Sequence, residues 1–334
     1  MFPLNWIHEA QARISPHIRE TPLTYDSANG LYLKWENHQV TGSFKARGAL
    51  NKVLAMQDWE RQRGLVTASA GNHGQGVALA GKLVAAPVLI FASEHAVPAK
   101  VEAMQALGAE VHLTPGGYGE AEQAAIAYAQ ANNASYVSPY NDGLIIAGQG
   151  TLAIETLRQN PAVCEATWLI PVGGGGLASG IGAVMKSLSW PPGVIGVQSE
   201  ASPFFHSIFL RGSQRDIIEY PSLADGLAGP VEEGSITIPL VKHFCAQIQL
   251  VTEAEINEAI SFAWKRYGER IEGSAAAALA AALSGKIQAR PALIIISGGN
   301  IQPSIHEAIL NNHPQSTEFL KEKRSGCGFT RHEH

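Results

Sequence analysis

Thr41-Gly42-Ser43-Phe44-Lys45-Ala46-Arg47-Gly48-Ala49-Leu50-Asn51 follows a strand-like run, Leu31–Glu36, and opens a helical one that continues through Val53 and Leu54. Lys45 therefore falls in the first turn of a helix, among backbone N–H groups that have no intrahelical acceptor. The positive end of a helix dipole disfavours a second cation. A lysine held neutral, as a free amine or an imine, suits the position better than an ammonium. Taken alone, a lysine at a helix start reads as a solvated side chain, because lysine is rarely buried. What changes the reading is its company further along the chain.

Outward from this stretch, apolar strand-like runs alternate with alanine-rich helical ones. Before it stand a helix over Leu4–Ile18 and an extended Thr21-Pro22-Leu23. After it come strands Leu65–Ala68, Pro87–Ala92 and Glu110–Leu113, with helices Gly74–Leu83, Val97–Leu107 and Tyr118–Ala131. A second series holds helix Ala147–Arg158, strand Thr167–Val172, helix Gly176–Leu188, strand Val194–Gln198, helices Glu253–Tyr267 and Ser274–Leu283, and strand Ala292–Ile296. This alternation predicts βαβ units and parallel sheets in an α/β protein. No Pro/Ser-rich linker divides the two blocks, so a boundary near residue 143 is soft.

Composition excludes several classes. A chain of 334 residues is long enough for a substantial core in one large or two modest domains. Net charge −5 leaves no basic footprint for nucleic acid or anionic lipid. No run of about 18 apolar residues predicts a membrane span, and the start, Met1-Phe2-Pro3-Leu4-Asn5-Trp6, lacks the pattern of a signal peptide. Cys164, Cys245 and Cys327 are odd in number and widely spaced, which points to a reducing compartment and the cytoplasm. The tail after Phe319 is expected to fray, with His332 and His334 solvated.

Four segments, in order, carry a resemblance: the Lys45 stretch, Ser69-Ala70-Gly71-Asn72-His73-Gly74, Gly173-Gly174-Gly175-Gly176-Leu177 and Ser297-Gly298-Gly299-Asn300, with Ala147-Gly148-Gln149-Gly150-Thr151 between them. Together they resemble fold type II pyridoxal-phosphate (PLP) enzymes, and most closely the serine/threonine dehydratase and serine racemase family. The resemblance runs from about residue 5 to about residue 310. It implies a tryptophan synthase β-like fold of two open parallel-sheet α/β domains with the cofactor between them. The small domain would span residues 62–142, inserted into a large one made of residues 1–61 and 143–334.

The cofactor needs an amine for its aldehyde, a cradle for its phosphate, a partner for its ring nitrogen and control of its phenolic oxygen. Lys45 supplies the amine and is the candidate catalytic residue. Gly173, Gly174, Gly175 and Gly176 follow a strand and precede a helix, so their N–H groups can wrap a phosphate; the resemblance adds the Leu177 N–H. By the same resemblance Asn72 meets the phenolic oxygen and Ser297 the ring nitrogen. A hydroxyl beside that nitrogen leaves a weaker electron sink than an aspartate, which favours expelling a β-leaving group over transamination. Ser69, Ala70, Gly71, Asn72 and His73 form the expected substrate-carboxylate loop, with His73 bracing the loop and not serving as a base.

The resemblance thus implies an ammonia-lyase that eliminates water from L-threonine or L-serine, as a homodimer or higher homo-oligomer. Serine racemase and 3-hydroxyaspartate dehydratase are the alternatives. The racemases of the family carry a serine where this chain has Ala70. Ser138-Pro139-Tyr140-Asn141 and Glu272-Gly273 depart from the family's usual His and Glu-Pro, and leave the side-chain pocket open. The chain ends soon after the Ser297 loop, so no carboxy-terminal regulatory domain is expected. Glu200 and His206 fall where metal-dependent relatives place ligands, but a histidine in place of an aspartate argues against a hard cation. A water-filled or salt-bridged pocket is expected there, Asp225 reads as structural, and no metal is expected. Gly173, Gly175 and Ala178, with Glu200 further on, also fit a dinucleotide fingerprint. An NAD oxidoreductase, however, leaves Lys45, Asn72 and Ser297 without a purpose; a binding module that has lost catalysis is not excluded by the motifs, although every chemical position is filled.

Overall fold

The computed structural model describes residues 2–311; the tail after Phe319, with Cys327, His332 and His334, lies outside the described residues. The strands are β1 (Leu23–Asp26), β2 (Leu31–Trp35), β3 (Leu65–Ala68), β4 (Val88–Ser93), β5 (Glu110–Thr114), β6 (Ser135–Tyr136), β7 (Thr167–Pro171), β8 (Val194–Ser199), β9 (Gln247–Val251) and β10 (Ala292–Ile296). They form a six-stranded sheet in the order β1-β2-β10-β7-β8-β9 and a four-stranded one in the order β5-β4-β3-β6. Every pairing is parallel except that of β1 with β2. The parallel sheets expected from the alternation are present, with one antiparallel strand, β1, added at the edge of the larger one. The segment ending in Asn29-Gly30, with Gly30 at φ +65°, turns β1 back on β2.

The burial pattern explains the elements. In β10 all of Ala292, Leu293, Ile294, Ile295 and Ile296 are buried, as befits a strand covered on both faces. Helix Gly273–Leu283 is apolar all round and buried from Gly273 to Ala282. Helix Gly143–Gln159 begins earlier than its periodicity announces. The Asp142 carboxylate caps the N–H groups of Leu144 (2.7 Å) and Ile145 (3.1 Å), which starts the helix at Gly143. β9 and the helices Phe204–Arg211 and Thr237–Phe244 carry too short a pattern to stand out in the sequence.

A buried charge network sets the helix of Lys45 in place. Arg47 grips Glu36 through Nε (2.8 Å) and Nη2 (2.7 Å), and its Nη1 lies 2.9 Å from Glu155 Oε2. Lys34 Nζ meets the same Glu155 at 2.6 Å and donates to the Thr21 carbonyl at 2.8 Å. Arg47, Lys34 and Glu36 are fully buried. Burial works against the Glu155 charge, but Arg47 and Lys34 hold its carboxyl below the usual range. The sequence pattern places Glu36 at the end of a strand; it opens a 3-10 turn instead, which aims its carboxylate at Arg47.

Removing one partner from such a network leaves an uncompensated buried charge. Arg47→Met should lower unfolding stability by about 3–5 kcal/mol, read from the urea midpoint. A midpoint within error of the wild type would mean that the network carries no stability.

Candidate active site

Lys45 is the first residue of its helix, Lys45–Ala55. The preceding N–H, of Phe44, donates to the Ser297 carbonyl at 3.0 Å, and Ser43 forms an antiparallel bridge with Gly298. The approach to Lys45 is thereby stitched to the loop leaving β10. Lys45 Nζ donates to the Pro139 carbonyl at 3.0 Å. The next residue, Tyr140, packs on the glycine loop so closely that a Cβ on Gly174 would sit 2.2 Å from its ring. Loops far apart in sequence thus meet at the start of the Lys45 helix, with the Pro139 carbonyl on the amine itself. Burial holds that amine down to about 8, with the Glu272 carboxylate pulling the other way.

The glycine loop joins β7 to helix Gly176–Lys186. Gly175 stands at φ +84°, and a Cβ there would lie 2.7 Å from the Phe205 ring. None of the backbone N–H groups from Gly173 to Leu177 has an acceptor among the described residues. Orphan donors at the positive end of a helix make an anion cradle. Ser297 follows β10 and is buried.

Asn72 opens helix Asn72–Leu83 after the β3 loop. Its Nδ2 donates to Glu272 Oε1 at 2.7 Å, and its Oδ1 accepts from Asn300 Nδ2 at 2.7 Å. Asn300 also donates to the Thr41 carbonyl at 2.8 Å, which ties this corner back to the Lys45 stretch. These partners select one amide orientation, since a flipped Asn72 would set its oxygen against a carboxylate. One amide proton stays available for a ligand. Glu272 is buried and pushed up to about 7, chiefly by burial and further by Asp225, against Lys100 and Asn72. In the sequence Glu272 stands out only for the glycine that follows it, and Lys100 looks like an ordinary helix-surface lysine, so nothing there announces their pairing at this corner.

The remaining loop residues lie beside this corner. The Gly71 N–H donates to Ser69 Oγ at 3.1 Å, and Ser69 N–H to the Phe91 carbonyl at 2.9 Å. His73 is buried with Nε2 3.0 Å from the Val137 carbonyl, and burial, followed by Lys45, drives it down to about 3. It is neutral across the working range. Away from the site, Glu200 is exposed, and His206 Nδ1 meets the Ile248 carbonyl at 2.7 Å. Among the described residues no three His, Cys, Asp or Glu cluster as metal ligands.

These features fit pyridoxal phosphate: a poised amine, an orphan N–H cradle, and buried Thr41 Oγ1 and Ser43 Oγ that lack partners beside Lys45. Fold and site together define a fold type II PLP enzyme. Comparison with known proteins agrees, for the profile of the family described as "Pyridoxal-phosphate dependent enzyme" matches residues 14–298. The chain belongs to that family. It is 39% identical over 318 residues to an L-threonine ammonia-lyase of Thermotoga maritima, covering 93% of this chain and 79% of the relative. Among solved structures, maize serine racemase superposes with a TM-score of 0.84 at 29% identity, over 94% of this chain and 98% of the other. The processed form of threonine deaminase isoform 2 from Solanum lycopersicum gives 0.83 at 28% identity, over 92% of each chain.

An amine is nucleophilic only when unprotonated. In cofactor-free protein, borohydride trapping of PLP on Lys45 should therefore rise through about pH 8, where an ordinary lysine would wait until 10.5. Because the Glu272 carboxylate raises the lysine, Glu272→Gln should move that midpoint lower. A midpoint near the ordinary value would show that the amine is not desolvated.

Proposed function

We propose that the protein is a PLP-dependent ammonia-lyase that converts L-threonine or L-serine to 2-oxobutanoate or pyruvate and ammonia. Pyridoxal phosphate, when bound, supplies an aldehyde and an electron sink. Lys45 holds the cofactor and, once released, removes the α-proton at Nζ. An amine near neutrality suits that task. The N–H groups of Gly173, Gly174, Gly175, Gly176 and Leu177 bind the phosphate. Asn72 offers its spare amide proton to the phenolic oxygen, and Ser297 presents a hydroxyl to the ring nitrogen. Backbone N–H groups of Ser69–His73 receive the substrate carboxylate. In this reading residues 62–142 form a small domain that carries the carboxylate loop, and residues 1–61 and 143–334 form the large domain that carries the cradle.

The observation that carries elimination over racemisation is the lack of a second base in the carboxylate loop. Ala70 has no titratable group, Ser69 Oγ accepts the Gly71 N–H at 3.1 Å and so is turned toward its own loop, and His73 is neutral with Nε2 against a carbonyl. Inverting the α-carbon needs an acid on the face opposite Lys45. Relatives named L-threonine ammonia-lyase at 39% and 36% identity support the same choice. The reading also carries cytoplasmic residence and a homo-oligomeric state, for which sedimentation is the direct test. Among the described residues no helix is long and apolar enough to cross a membrane.

A panel of β-hydroxy amino acids assayed for oxo-acid release tests the substrate, with threonine or serine expected to turn over fastest. Lys45→Ala should abolish both the borohydride-sensitive absorbance and turnover. More than trace activity in that variant removes Lys45 from the mechanism.

Ala70→Ser restores a hydroxyl at the vacant position, so it should raise D-serine formation from L-serine at some cost to pyruvate. D-serine appearing from the wild type as fast as pyruvate would replace the lyase assignment with a racemase.

A further inference from the structure

Lys100 and Asp225 belong to different sheets. Lys100 lies on helix Pro98–Ala106, between β4 and β5 of the four-stranded sheet; Asp225 lies in the turn between β8 and β9 of the six-stranded one. Their side chains meet at 2.7 Å with only 16% and 38% exposure. The Lys100 stem runs along the carboxylate loop, its Cδ 3.5 Å from the point where a Gly71 Cβ would stand.

On the other side the Asp225 turn is pinned from three directions. Ser222 Oγ and the Leu223 N–H both donate to the Glu253 carboxylate, at 2.6 and 2.7 Å. The Gly226 N–H donates to Ser274 Oγ at 2.9 Å. Leu227 then abuts the phosphate cradle, its Cα 3.1 Å from a would-be Gly173 Cβ. This seat depends on Gly273, where any Cβ would fall 2.1 Å from the Leu223 carbonyl oxygen. A side chain at position 273 could not be accommodated without pushing the turn away.

We propose that Lys100 and Asp225 form an electrostatic latch across the mouth of the site, coupling the carboxylate loop of one sheet to the cradle turn of the other, and that Gly273 sets Asp225 in reach. Both are positioning residues. The proposal rests on the reading that Ser69–His73 and Gly173–Leu177 line one active site. An ion pair held between two bodies is released when either charge is removed, and weakens with salt.

Hydrogen–deuterium exchange on the full-length protein, with and without PLP, tests the coupling. Lys100→Met and Asp225→Asn should each speed exchange in both segments, 69–74 and 223–227, by roughly twofold to fivefold, the range of a partly exposed pair. Lys100→Arg should behave like the wild type. High KCl should reproduce the effect in the wild type and add nothing in the two variants. Gly273→Ala, if it folds, should match Asp225→Asn. Exchange that quickens only in the mutated segment, or in neither, overturns the latch. In the holoenzyme, the rate at which hydroxylamine removes the cofactor should rise with the same variants. A Lys100→Met enzyme that binds glycine more weakly while its exchange is unchanged would assign Lys100 to the substrate carboxylate and overturn the latch. A wild type with no borohydride-sensitive band would instead remove the cofactor reading, and the exchange without PLP would still decide the latch.

Discussion

Arg47 is the constraint on which the site depends. A guanidinium buried away from water is tolerated only where its donors are met and its charge balanced. Glu36 and Glu155 do both, and Lys34 and Thr21 satisfy what remains of those carboxylates. An α-helix turns about 100° per residue, so residues two apart point roughly opposite ways. Fixing Arg47 toward the network therefore fixes Lys45 toward the loops. The lysine is aimed by the residue that does no chemistry.

Close approach of the helices completes the aim. A Cβ on Gly148 would lie 2.6 Å from the Arg47 carbonyl oxygen and from Gly48 Cα, so the two helices cross with almost no spacing. Gln149 sits in the gap and accepts the Gly48 N–H at 3.2 Å. The Ala147–Thr151 motif is thus a packing motif, and its glycines explain how a segment remote in sequence can deliver Glu155 to Arg47. The chemistry at Lys45 and the packing at Gly148 are one problem, solved on two helices.

The sequence made local features legible where residue type alone settles the structure. Strands Leu65–Ala68 and Ala292–Ile296 and helices Tyr118–Ala131 and Glu253–Tyr267 run between the expected residues, because their apolar periods are unbroken. The glycine loop and the Lys45 turn were visible as well, since few residues other than glycine suit such a loop. What stayed hidden depends on pairing across long separations. The β1 edge, the Asp142 cap and the two short helices after β8 each depend on neighbours that no local period reveals. Lys100 is the same case in the site: unremarkable in its own helix, it acquires meaning only beside Asp225 and Glu272, which the sequence singles out without showing what they meet.

That electrostatic company also bears on how a lysine can stay partly unprotonated near neutral pH. Burial pushes Lys45 down to about 8 and Glu272 up to about 7, the same desolvation acting on opposite charges. In water an amine and a carboxyl sit at far ends of the scale and both are charged. Here they are brought close together, so little free energy separates the charged pair from the neutral one. Either ion favours the other, which is why removing the Glu272 charge lowers the lysine further. Asn72 hydrogen-bonds that carboxylate and Lys100 opposes its protonation, so both also bear on the proton carried by the Lys45 amine. Enclosure, more than any single partner, brings the Lys45 amine toward neutrality.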